Sequence, residues 1–92
     1  MTCSKEIDWC HKEGEIYNRA IDFTYHMATG DTLDSVTWAV NVGMTSAGDG
    51  FNDTLTTCWF GGGTAGNTYV STCTADTTFG ERYIVTINYE VV

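Results

Sequence analysis

Four cysteines and two histidines supply the thiol and imidazole groups of this sequence, and their spacing limits what they can do. Cys58 and Cys73 stand in two alternating runs, LTTCWF and TYVSTCTA, on either side of a glycine-rich turn. Side chains alternate between the faces of a strand, so Thr56, Cys58 and Phe60 share one face and Tyr69, Ser71 and Cys73 share another. With both faces turned inward the two thiols meet across a core. A bridge between them would close a loop of about fifteen residues and add roughly 3 kcal/mol through the entropy of the unfolded chain. The competing reading is a pair of small buried thiols, the expectation for a chain whose first residues, MTCSKEIDWCHK, lack the basic start and apolar middle of a secretion signal. Cys3 and Cys10 fall in a charged N-terminal segment, where exposed thiols would form an intersubunit disulfide on reaching an oxidising medium.

The other candidate chemistries are poorer. Cys3, Cys10, His11 and His26 contain no tight CxxC pair, so zinc is not expected. Asp31, Asp34, Asp49, Asp53 and Asp76 fall in or beside turns, and DGFND at 49–53 does not follow the order of an EF-hand loop. Turn formation accounts for these aspartates, Asp31 after Gly30 being a clear example. Nucleophile elbow, phosphate loop and metalloprotease helix are all missing, and His26 is placed on the polar side of a strand. The expectation is a protein that is not an enzyme and takes neither a metal nor another cofactor.

Composition narrows the partners. Ninety-two residues make one domain with one core, and twelve acidic residues against four basic ones leave a formal charge of −8. Such a surface repels nucleic acid, and no apolar run is long enough to span a membrane. Neither is expected as a partner, and synthesis in the cytoplasm is. A chain this short buries about 60 to 65% of its unfolded surface, so disulfides, partners or further copies of itself are expected to add stability.

The elements that position these residues read as strands. Ile21, Phe23, Tyr25 and Met27 alternate with polar residues and predict one half-buried strand from Ile16 to Met27. Val36, Trp38 and Val40 predict a second strand, residues 55–60 and 69–75 two more, and Tyr83, Val85, Ile87, Tyr89 and Val91 the last. Residues 46–50, SAGDG, read as a polar loop pinned by Phe51. Proline is absent, so glycine, Asn and Asp make the turns. Gly62, Gly63 and Gly66 predict a corner between facing sheets, and Tyr69 just after it suits a tyrosine corner, in which the hydroxyl ties back to upstream backbone. Residues 1–15 show no sustained alternation and are expected as an N-terminal arm beside a sandwich domain at 16–92, with Ile7 and Trp9 as interface candidates.

The run IDFTYHMATGDTLDSVTWAV at 21–40 is followed by Gly43-Met44-Thr45, by Phe51, by CWFGGGTAGNTYVSTCT and by Gly80-Glu81-Arg82. A GDT turn, a V-x-W-x-V strand, a glycine before the next apolar residue, a GGTAG-x-x-Y corner and a late E-R resemble the small virion proteins of tailed bacteriophages described as tail-fibre adaptors. The resemblance covers residues 16–92. It departs at Asn41, where relatives often carry proline, and in the first fourteen residues, which have no counterpart. It implies an all-β, immunoglobulin-like sandwich that joins tail or collar fibres to the tail or neck of a virion, present as a homo-oligomer or in several copies, with other virion proteins as partners. The alternatives from other classes are a carbohydrate- or host-surface-binding module, stacking sugar on Trp59 with Tyr89 or Tyr83, and a cement protein decorating the capsid.

Overall fold

Threonine, valine, isoleucine and tyrosine at alternating positions favour extended backbone, and they fold the described residues into seven strands. These are β1 (Glu6–His11), β2 (Tyr17–Asp22), β3 (Leu33–Ala39), β4 (Met44–Phe51), β5 (Leu55–Gly62), β6 (Thr68–Thr77) and β7 (Arg82–Val91). The computed structural model describes residues 6–24 and 26–92. A four-stranded sheet in the order β1-β7-β6-β3 faces a three-stranded sheet in the order β2-β5-β4. β1 runs parallel to β7, and the other pairs are antiparallel.

The strands with the cleanest alternation supply the core. Tyr83, Val85, Ile87, Tyr89 and Val91 of β7 are buried, as are Ser71, Cys73, Ala75 and Thr77 of β6 and Thr56, Cys58 and Phe60 of β5. Ile21, Phe23, Leu33 and Met44 close the ends of this layer. Between β5 and β6 the chain leaves one sheet for the other through a turn with positive φ at Gly62, Gly63 and Gly66. The Thr64 amide donates to the Tyr69 hydroxyl at 2.9 Å, tying the start of β6 back to the turn it has left.

Three expectations are corrected. The strand read over residues 16–27 stops at Asp22, because the Asp22 carboxylate accepts from the amide and hydroxyl of Thr24 and starts a turn in which Met27 N–H donates to Phe23 C=O. Tyr25 lies outside the described residues. The polar loop at 46–50 is strand β4, an edge strand paired to β5 with a register shift between Ser46 and Asp49. Its Phe51 is 46% exposed, and backbone pairing with β5 and the buried Met44 hold this edge strand in its place.

The third correction concerns the arm. Glu6–His11 is a strand of the sandwich, in unbroken register with β7 from Glu6↔Thr86 to His11↔Val91. Ile7, Trp9 and His11 point inward, and Glu6, Asp8 and Cys10 point out. The alternation is regular but escapes a hydrophobicity reading, because one inner position is a histidine. Residues 1–5, including Cys3, lie outside the described residues.

Candidate interaction surface

Cys58 and Cys73 are free thiols buried in the core between the two sheets. Burial pushes the Cys73 thiol up to about 12, with the neighbouring Cys58 and Asp49 adding to it. Burial also raises Cys58, partly offset by a hydrogen bond with Ser46 at 3.3 Å. The thiolate is the nucleophile, so these two groups are shielded both by access and by protonation. Cys10 sits on the outer face of β1 and is exposed. Iodoacetamide at neutral pH is expected to modify Cys10 in the folded protein and to spare Cys58 and Cys73 until denaturant is added. Peptide mass mapping reads this directly, and modification of Cys73 at the rate of Cys10 would contradict the packing.

The zinc set and the sugar platform both come apart. Cys10 and His11 are neighbours on one strand and point to opposite faces, and among the described residues no group of three acidic, histidine or cysteine side chains is placed to hold a metal. Trp59 is 44% exposed on the outer face of β5, whereas Tyr83 and Tyr89 are turned into the core. They cannot share a stacking surface with Trp59, because they belong to the inner face of the other sheet.

Asp31 does more than shape its own turn. Its Oδ1 accepts from the Thr32 amide at 2.8 Å, the Thr78 hydroxyl at 2.9 Å and the Phe79 amide at 3.1 Å, so it fastens the loop before β3 to the loop before β7. Burial pushes its carboxyl up, but the hydroxyls of Thr77 and Thr78 and the amides of Phe79 and Thr32 together outweigh this and hold it below the ordinary aspartate range. At the same end Tyr83 donates to the His26 carbonyl and contacts the Glu81 carboxylate, each at 2.7 Å.

The flank where β1 and β2 face each other carries the distinctive chemistry. Trp9 lies against Phe60 at 5.8 Å, Tyr89 at 6.3 Å and Trp38 at 6.5 Å between ring centroids, so this interface candidate packs within its own chain, as Ile7 does. His11 is buried at the end of the same strand. Its Nε2 is 3.0 Å from the Gly62 carbonyl, which can only accept, so Nε2 carries a proton, and its Nδ1 shares a hydrogen bond with the Tyr89 hydroxyl at 2.8 Å. The histidine thereby joins β1 to β7 and to the glycine corner.

Arg19 bridges the two sheets at this flank. Its Nη2 donates to the Cys10 carbonyl at 2.7 Å while the guanidinium lies 4.6 Å from the Tyr17 ring and 5.8 Å from the Trp9 ring, a cation over aromatic faces. Beyond Arg19 the flank stays open as a groove of about 330 Å³, floored by Ile7, Trp9, Ile21, Phe23 and Val85 and rimmed by Glu6, Asp22 and His26. Sequence reasoning missed this surface. Its signal was the inward set Ile7, Trp9 and His11, which shows only once β1 is recognised as a strand.

Comparison with known proteins places these strands in a family. The sequence model of the family described as podophage GP4 fiber-tail adaptor protein gp77 matches residues 12–89, which takes in β2 to β6 and most of β7 and leaves β1 outside the match. No curated protein matches the chain.

Proposed function

The chain belongs to the podophage GP4 fiber-tail adaptor family, and from that membership we propose that it is a structural virion protein that joins fibres to the tail at the neck or collar, in several copies per particle. The observation that carries the reading is the length of the match, which spans the sandwich from just after β1 to two residues short of the end of β7. The bond from the Thr64 amide to the Tyr69 hydroxyl supports an immunoglobulin-like form of the sandwich. Its partners on this reading are the tail and fibre proteins and neighbouring copies, and the protein reaches the particle from the cytoplasm of the infected cell.

The N-terminal segment contributes through its outer face. Cys10 is exposed beside Glu90 on β7, at the border of the open flank, and it is available to link to a neighbouring subunit together with Cys3. Phage produced from a genome lacking this gene, with the protein supplied or withheld, tests the role. Particles assembled without it are expected to have tails and to lack fibres by electron microscopy. Fully fibred particles in its absence would overturn the proposal.

A further inference from the structure

Resting on the adaptor reading, we infer that the free edge of β1 and the groove beside it receive an extended segment of another virion protein, in which apolar residues alternate with lysine or arginine, as a fifth strand of the four-stranded sheet.

The backbone of β1 is arranged for this. The Val92 amide donates to the His11 carbonyl at 2.9 Å and the Glu13 amide donates to the Val92 carbonyl at 2.8 Å, so the odd-numbered residues of β1 turn their backbone groups toward β7. Alternation then turns those of Glu6, Asp8 and Cys10 to the opposite side, where among the described residues the sheet has no further strand. Arg19 takes the Cys10 carbonyl, which leaves Glu6 to Trp9 as the span open to pairing.

Two of the other three edges are less suited by their irregularity, while β2, the opposite wall of the groove, pairs with β5 without a break but carries Arg19, a charged residue of the kind that guards edges. β3 shifts register between Leu33 and Ser35, and β4 shifts between Ser46 and Asp49 with Gly48 at φ +135°. Irregularities of this kind block the addition of a strand and are common protection for edges. The pairing of β1 with β7 has no such break, and the described residues of β1 include neither lysine nor proline.

The groove and its charge set the chemistry of the occupant. A strand laid along β1 directs alternate side chains over Ile7, Trp9, Ile21 and Phe23, in a space of about 330 Å³ that takes side chains but not a folded domain. Glu6 and Asp22 rim that space. Among the described residues the cations of this flank, Arg19 and the exposed Lys12 that follows β1, lie at the Cys10 end, and Arg82 is paired with Asp76 at 2.6 Å. A lysine or arginine of the incoming strand is therefore attracted to the Glu6 end and repelled at the Arg19 end, which fixes its register.

Asp8→Pro tests the pairing, because it removes an outward N–H and leaves the ladder to β7 intact. The variant is expected to keep the melting temperature of the wild type and to yield particles without fibres. Should the proline prevent folding, Glu6→Lys changes an exposed rim charge alone and is expected to lower fibred particles by roughly tenfold. Benzophenone-maleimide on Cys10, in a Cys3→Ser chain assembled into particles, is expected to cross-link to a stretch of another virion protein that alternates apolar residues with lysine or arginine. Fully fibred particles from the folded variants overturn the inference, as do cross-links only to a second copy of this chain, to its own residues 1–5 or to an acidic stretch. If particles lacking the protein are also fibred, it is the adaptor reading that fails; if they are bare while Asp8→Pro particles are fibred, strand addition alone fails.

Discussion

Removal of residues 1–11 is expected to abolish cooperative folding, although it leaves the family-matched residues 12–89 untouched. β1 contributes Ile7 and Trp9 to the core and the buried ring of His11. Its loss uncovers Tyr89, Ile87 and Phe60, which are fully buried in the intact chain. The Tyr89 hydroxyl and the Gly62 carbonyl lose their histidine partner, and a buried polar group left unpaired costs about 1–3 kcal/mol. Deleting a large aromatic from a core costs about 3–5 kcal/mol. The sum approaches the whole stability of a domain of this size, about 5–14 kcal/mol. Circular dichroism melts of the truncated and full chains measure the effect. A truncated chain that melts within a few degrees of the full one would show β1 to be a detachable arm.

Gly63→Ala is expected to cost about 2–4 kcal/mol, more than the same change at Gly66. Both glycines have positive φ, +84° and +91°, where a Cβ strains the backbone by about 1–2 kcal/mol. At Gly66 the new methyl group meets open space. At Gly63 it would lie 2.6 Å from Val91 Cγ2 and 3.1 Å from Tyr69 Cε2. Val91 is fully buried and β-branched, with little freedom to rotate away, and Tyr69 is held by the Thr64 amide. Urea unfolding of the two variants separates backbone strain from the clash. Equal losses would mean that the corner does not press on Val91 and Tyr69.

Much of the fold was legible because β5, β6 and β7 are central strands, buried on one face, and announce themselves by period-two alternation. The glycines of the corner were legible for a different reason: few other residues adopt those backbone angles. The edges were not. β4 carries SAGDG, which is loop chemistry by composition and strand by pairing with β5. β1 hides behind His11, whose burial is permitted only by two hydrogen-bond partners supplied by Tyr89 and Gly62, residues more than fifty positions away in the chain. Asp31 is a turn former by its local sequence, whereas its bonds to Thr78 and Phe79 are likewise non-local. The groove follows from β1 and β2 meeting at one flank, a fact of topology that no window of the sequence contains.

Electron cryomicroscopy of the intact virion, at a resolution that traces side chains, tests the adaptor reading most directly. The account predicts several copies of this sandwich between the tail and the roots of the fibres, each with its β1–β2 flank against another virion protein. Copies found on the capsid shell, or fibres joined to the tail with this chain elsewhere, would contradict it.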